Sequence, residues 1–305
     1  MITNTDTKTA FIAIVGLPNV GKSTLLNKLL GEKIAAVSKK PQTTRTRITG
    51  ILTKEEKQYV FLDTPGIHRP RTKLGDMMIK EIGTAIADVS CVLFLTEPDG
   101  KITETEKNLL LRFKKEKQNI ILIVNKTDDC KKGMILTTID VFSTFAKEEG
   151  IEFASVIPIS AATGDGVEII FDELEPFMAP GDWYFTSDMI TDLPEKKIAE
   201  EIIREKILRL LDDEVPHGTA VIIEDFKDIK GHLIDIRAEI FCEKDSHKGI
   251  IIGKNGAMLK KIGSYAREDM EAFFNTKVNL NLWVKVKENW RDDQGYLNQM
   301  GFKLK

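Results

Sequence analysis

Apolar residues along this chain gather in short runs parted by polar stretches. Phe11–Val15, Val89–Leu95, Asn119–Val124 and Phe153–Ile159 are largely apolar and of strand length, the pattern of strands buried on both faces of a parallel sheet. Arg47–Leu52 and Gln58–Leu62 flank the polar turn Lys54–Lys57 and predict a pair of strands. Among these runs lie three segments of helical character, Thr24–Leu30, Lys73–Ala87 and Glu104–Lys117. The alternation predicts an α/β domain, a mostly parallel sheet with helices on both faces. Ile34–Arg47 is polar and basic without steady periodicity, so a mobile loop is expected there.

The pattern then changes. Pro176–Pro194 has little periodicity and reads as a linker, its Trp183, Tyr184 and Phe185 expected to pack against a domain. Beyond it Ile198, Ile202, Ile203, Ile207, Leu210 and Leu211 line one face of a helix over Glu195–Leu211. Strands over Thr219–Phe226 and Leu233–Glu243, a short helix, the loop Gly253–Gly256, a helix over Ala257–Phe274 and a strand over Lys277–Lys287 complete an α+β unit. The expected boundaries are 1–178 for the first domain, 179–193 for the linker and 194–305 for the second domain.

Composition agrees with two soluble domains: 305 residues, 42% hydrophobic and 30% charged, against a usual domain size of ~150 residues. Met1–Lys8 lacks the apolar stretch of a signal peptide, and no apolar run approaches a membrane span. Three cysteines stand far apart without metal spacing, and four histidines form no HExxH pattern. Free thiols in a reducing cytoplasm, and no structural metal, are the expectation. The net charge of −3 hides an asymmetry: Lys244–Lys305 holds 12 Lys/Arg against 7 Asp/Glu, and the remainder 32 against 40. A basic end on an acidic body suggests an anionic partner for the second domain alone.

Candidate chemistry begins at Gly16-Leu17-Pro18-Asn19-Val20-Gly21-Lys22-Ser23-Thr24, between the first strand and its helix. This is phosphate-loop spacing. Gly16 and Gly21 let the backbone approach a polyphosphate, and N–H groups at the helix start point at negative charge. Lys22 reaches the β/γ-phosphates and Ser23 offers a hydroxyl to magnesium. Asp63 ends a strand before Thr64-Pro65-Gly66, suited to magnesium through water and to a Gly66 N–H on the γ-phosphate. Asn125-Lys126-Thr127-Asp128 follows another strand. There Asp128 can accept from N1–H and the 2-amino group of guanine, a donor pair that adenine lacks. The Lys126 stem can lie along the base while Asn125 bridges base and loop. Ser160-Ala161 after the next strand brings a backbone N–H toward guanine O6.

These four signals, in fixed order and each after an expected strand, resemble the translation-factor-like branch of the Ras-type GTPases over about Thr9–Met178. The resemblance implies binding of GTP and GDP with magnesium on Ser23, Asp63 and a loop threonine. It favours Thr44 over Thr43, with both open on sequence alone. Lys22, Thr44 and Asn19 are the expected catalytic residues. Ile67 stands where Ras-type enzymes carry a water-orienting glutamine, and isoleucine cannot hydrogen-bond water. In similar GTPases an asparagine at the place of Asn19 ligates a potassium ion bridging the phosphates, which makes Asn19 a candidate potassium ligand.

The second domain's element order resembles a type II KH domain, in which a Gly-x-x-Gly loop clamps about four nucleotides of single-stranded RNA. Lys248, Ile250, Ile251, Ile252, Gly253, Lys254, Asn255, Gly256 and Lys260 are the expected RNA-binding residues. Lys261 and Arg267 extend the electrostatic footprint. A P-loop GTPase domain followed by a type II KH domain resembles the bacterial Era-like GTPases nearly end to end. The likeness is carried by Gln42-Thr43-Thr44-Arg45, Gly66–Leu74, Ile202-Ile203-Arg204-Glu205-Lys206, Lys248–Gly253 and Asn289–Phe302. Leu17, where a basic residue is usual, and Asn255, where a small residue is usual, depart from the pattern. The resemblance implies a GTP-hydrolysing switch that binds the 3′ end of 16S rRNA and acts in assembly of the 30S subunit. It further implies a cytoplasmic monomer with peripheral association at the inner membrane. The alternative is a GTPase whose last domain docks a protein or tRNA-related partner.

Overall fold

The computed structural model describes residues 6–38, 40, 43–66, 77, 89–212, 214–229 and 231–299. Apart from Met77, the expected helix over Lys73–Ala87 lies outside them, as do Ile67 and the end of the tail. Described residues fall into two compact units. The first takes in those within Met1–Ile34, Thr44–Arg69 and Met78–Asp192; the second, those within Ala35–Thr43, Pro70–Met77 and Leu193–Lys305.

In the first unit β1 (Lys8–Gly16), β3 (Lys57–Asp63), β4 (Cys91–Thr96), β5 (Ile120–Val124) and β6 (Phe153–Pro158) run parallel, and β2 (Ile48–Lys54) pairs antiparallel with β3. The sheet order is β2-β3-β1-β4-β5-β6. Each apolar run of the sequence is one of these strands, and β4 and β5 are buried at every position. Helices α1 (Lys22–Leu30), α2 (Glu104–Lys115), α3 (Lys132–Glu149) and α4 (Ile169–Leu174) join them. Phe94 of β4 meets Phe113 of α2 and Phe142 of α3 with ring centroids 6.1 and 6.3 Å apart. Burial of each such ring contributes about 1.5–3 kcal/mol. The start of α2 is fixed by a capping box: Glu106 N–H donates to Thr103 Oγ1 at 3.3 Å, and Thr103 N–H to Glu106 Oε2 at 2.9 Å.

The segment expected as a linker is bound to this sheet at several points. Its Ala179–Pro180 forms β7, antiparallel to the start of β1. Gln58, fully buried, donates to the Phe185 carbonyl at 2.9 Å and to Thr53 Oγ1 at 3.1 Å, and its Oε1 accepts from the N–H groups of Tyr184 and Phe185 at 3.0 and 3.1 Å. Tyr184 packs edge-on against Phe11, and Ile51 N–H donates to the Ile190 carbonyl at 2.8 Å.

In the second unit the strands β8 (Thr219–Ile229), β9 (Leu233–Cys242) and β10 (Lys277–Val286) form a sheet of order β10-β9-β8, with β10 parallel and β8 antiparallel to β9. Helices α5 (Glu195–Leu210), α6 (Asp245–Ile252) and α7 (Ala257–Phe274) share a core with one face of it, where Ile203, Ile207, Ile236, Ile240, Ile262 and Met270 are fully buried. This is the element order expected for a type II KH domain. A short α8 (Gln294–Gln299) follows Trp290, whose buried indole N–H donates to the Gly218 carbonyl at 3.0 Å. Helix α5 is buried beyond its apolar stripe. Arg204, Glu205 and Lys206 are inside as well; Lys206 pairs with Asp269 of α7, and Glu205 lies 3.6 Å from Lys206 and 3.4 Å from Arg209. Among the described residues no helix is long and apolar enough to cross a membrane.

Candidate functional site

The phosphate loop turns between β1 and α1 at the carboxyl ends of the parallel strands, the usual ligand edge of such sheets. Asn19 is exposed and holds a left-handed conformation at φ 66°, and Val20 is buried beneath the loop. Gly21 has φ 102°, and a β-carbon on it would lie 2.2 Å from Asn125 Nδ2, so no other residue fits without displacing the base-side asparagine. Ser23 and Thr24 follow Lys22 in the first turn of α1, whose N–H groups have no acceptor within the helix. The Lys22 ammonium donates to the Gly16 and Leu17 carbonyls at 3.1 and 2.8 Å. Burial pushes its pKa down to about 8, with Asp63 acting in the opposite direction. A buried ammonium in such a loop is stabilised by the anionic oxygens of a polyphosphate.

Three hard oxygens converge beside it. Ser23 Oγ lies 2.7 Å from Thr44 Oγ1 and donates to Asp63 Oδ2 at 2.6 Å, and Thr44 Oγ1 donates to the same carboxylate oxygen at 3.3 Å. All three residues are buried. Thr43 is engaged elsewhere, donating to the Lys40 carbonyl at 2.6 Å. The geometry therefore separates the two threonines that sequence left open. Hydroxyl and carboxylate oxygens at this spacing suit magnesium, which takes oxygen ligands and keeps several waters. Gly66 packs against Pro18 of the loop.

At the base end Asn125 is buried and joins two loops. Its Nδ2 donates to the Val20 carbonyl at 2.7 Å, and its Oδ1 accepts the Ala161 N–H at 2.9 Å. Asp128 is exposed in a short 3-10 turn, and its Oδ1 accepts from the buried Ser160 hydroxyl at 2.6 Å. Lys126 is left-handed at φ 65° and pairs with Glu97. Asn125, Lys126, Asp128, Ser160 and Ala161 are thus brought together from the ends of β5 and β6. Glu97 is not among the residues that the motifs single out. Its place just past the carboxyl end of a parallel strand is the available signal.

In the second unit α6 ends at Gly253 (φ 71°), and Lys254-Asn255-Gly256 makes one tight turn before α7, with Asn255 and Gly256 also left-handed at φ 52° and 76°. Asn255 adopts this conformation more readily than most side chains do, which accommodates the departure seen in the sequence. Lys254 is exposed in the turn, Lys260 and Lys261 are exposed in the first turns of α7 and Arg267 is exposed further along it, with Lys248 half-buried on α6. One expectation is corrected. Ile251 belongs to the core and is fully buried, whereas Ile250 is 50% exposed and Ile252 partly buried. Successive helical residues point about 100° apart, so three isoleucines in a row cannot line one groove. Only Ile250 and Ile252 remain accessible to bases.

The family described as 50S ribosome-binding GTPase matches residues 11–126, and the KH domain family matches residues 214–291. A protein named GTPase Era from Ruminiclostridium cellulolyticum is 47% identical over 296 residues, covering 97% of this chain and 98% of its own. The GTPase Era of Clostridium kluyveri is 49% identical over 296 residues, covering 97% and 99%. Two solved structures superpose with a TM-score of 0.91 over 98% of this chain and 100% of theirs. One is an Aquifex aeolicus Era variant bound to GDP and tetrafluoroaluminate, 36% identical. The other, 35% identical, is an Era in complex with MgGDPNP and nucleotides 1506–1542 of 16S ribosomal RNA.

Proposed function

The chain belongs to the Era family of GTPases, and from that premise we propose that it is a GTP-driven switch that binds the 3′ end of 16S rRNA through its KH domain and acts in assembly of the 30S subunit. The observation that carries this reading is the solved relative that holds MgGDPNP and 16S rRNA nucleotides 1506–1542 together. The convergence of Ser23, Thr44 and Asp63 beside Lys22 supports the nucleotide part of this reading, and the tight Gly253–Gly256 turn supports the RNA part.

Phosphoryl transfer to water asks the protein for position and charge neutralisation rather than covalent chemistry. Lys22 and the N–H groups of Gly21, Lys22 and Ser23 hold the β/γ-phosphates. Ser23, Thr44 and Asp63 would hold magnesium, which would neutralise charge on the phosphate oxygens. Asn125, Lys126 and Asp128 read the guanine, with the Ala161 N–H toward O6. Gly66 N–H and Thr44 respond to the γ-phosphate, and so make the loop state depend on hydrolysis.

Isoleucine at position 67 leaves water without a side-chain partner there. Asn19, exposed on the loop with its left-handed backbone, is the residue that would hold a potassium ion, whose charge would help neutralise the phosphates. Turnover at least roughly tenfold faster in potassium than in sodium is expected, well inside what an arginine finger supplies, and equal rates would remove Asn19 from this role.

The reading is tested by titrating the 305-residue chain with a short RNA copying the 16S 3′ end, at one salt concentration, with GDP and with a non-hydrolysable GTP analogue. Binding about tenfold tighter with the analogue is expected, within the usual range of coupling between two sites. Equal binding would detach RNA recognition from the nucleotide switch. Absence of binding in both states would favour a docking domain for protein or tRNA-related partners.

A further inference from the structure

We infer that Glu97 is a positioning residue for guanine recognition, its carboxylate holding the Lys126 ammonium so that the lysine stem is laid out for the base. The inference rests on the reading of Lys126 given above and adds a residue from a different strand to that site.

Position makes the pair possible. Thr96, the last residue of β4, stands in register with Val124, the last residue of β5, and Asn125 N–H donates to the Thr96 carbonyl at 2.9 Å. Glu97 and Lys126 therefore leave adjacent parallel strands at the same edge. The Glu97 side is rigid. The Thr96 hydroxyl donates to buried Glu106 Oε1 at 2.9 Å, Asp99 N–H donates to the Glu97 carbonyl at 2.9 Å, and Gly100 N–H donates to Thr138 Oγ1 at 2.9 Å. Glu106 is itself held by the capping box of α2. The Lys126 backbone is held in the left-handed region at φ 65°, ψ 38°, and opens the turn that carries Asp128.

A free lysine stem samples many rotamers, and freezing them on binding costs affinity. With the ammonium paired with Glu97 at one end and the backbone fixed at the other, part of that freedom is removed. The four methylenes are left as a preformed apolar strip. Both side chains are about two-fifths exposed, Lys126 at 38% and Glu97 at 40%. An ion pair so open to water acts moderately, and a loss of about three- to fivefold is expected when it is broken.

The test uses the whole two-domain chain with GDP as probe in calorimetry and GTP in turnover. Glu97→Ala is expected to raise the GDP Kd and the GTP KM about three- to fivefold with kcat unchanged, since contacts at the base end do not alter during phosphoryl transfer. In a Lys126→Ala background the same substitution is expected to add less than about 1.5-fold, because the two act through one contact. A Glu97→Ala effect that persists in full without Lys126, or that lowers kcat instead, would assign Glu97 another role and overturn the inference. It is equally overturned if Lys126→Ala weakens GDP binding while Glu97→Ala leaves it unchanged. Should Lys126→Ala itself leave GDP affinity untouched, the reading of Lys126 at the base fails, and the inference fails with it.

Discussion

Asp128→Asn is expected to weaken GDP binding by about a hundred- to thousandfold and to open the site to xanthosine diphosphate. The carboxylate is an acceptor twice over, matched to the two donors on the guanine edge. An asparagine puts an NH2 group against one of those donors, so one contact is lost and two donors are set face to face. Sites built around such a polar pair discriminate far more sharply than apolar pockets do, by up to about 10⁴–10⁵ when fully enclosed. Here Asp128 is exposed and anchored on one oxygen by Ser160 at 2.6 Å, which places the expectation below that limit. Xanthine carries a carbonyl where guanine carries its amino group and so accepts what asparagine donates. Asn125, which bridges Val20 and Ala161, is untouched by the change, and the fold is expected to persist. Calorimetric titration with GDP and XDP measures both sides; unchanged preference for GDP would remove Asp128 from base recognition.

Gly256→Asp is expected to lower affinity for the 16S 3′-end RNA by about a hundredfold while leaving RNA-free GTP hydrolysis within about twofold. The two glycines of the turn are not equivalent. A β-carbon on Gly253 would sit 2.7 Å from Met258 Cβ and 3.0 Å from its backbone nitrogen, so substitution there disturbs α7 itself. Gly256 has nothing within 4 Å of that position. A side chain there enters open space, the space a sugar-phosphate backbone would use, and aspartate adds like charge against phosphate. The left-handed φ of 76° costs about 1–2 kcal/mol for a non-glycine residue. That is a melting shift of about 5–10 °C for a domain of this size rather than unfolding. RNA titration alongside a melting curve separates the outcomes. Retained affinity with a normal melting temperature would move RNA recognition off this turn.

The phosphate loop, Asp63, the Asn125–Asp128 tetrapeptide and the Gly253–Gly256 turn are legible in the sequence because each is local. Their chemistry needs residues within a few positions of one another, after a strand or between helices, and periodicity alone places those elements. Helix α3 is not among the elements that periodicity predicts. Thr138, Phe142 and Ala146 are buried and Ile135, Ile139 and Phe145 half-buried against the core, but Met134 and Leu136 are exposed apolar residues that blur the stripe. Arg204, Glu205 and Lys206 look like solvated positions in sequence and are buried in the structure, since charges on α5 find partners on α7 and on the helix itself. That Trp183, Tyr184 and Phe185 pack against a domain is legible in their composition, but nothing in the segment shows that Gln58, more than a hundred residues earlier, turns both ends of its amide to it.

What the amino-acid order determined by itself is therefore the fold class, the two-domain plan and the kinds of ligand, since strand and helix periods and contiguous motifs act over short stretches of chain. The tertiary structure alone decided three things: that Thr44 rather than Thr43 meets Ser23 and Asp63, that Ile251 lies in the core, and that Glu97 holds Lys126. Each depends on which segments the parallel register and helix rotation bring face to face. Those are long-range packing choices, set by burial of the whole sheet and invisible to any short stretch of sequence.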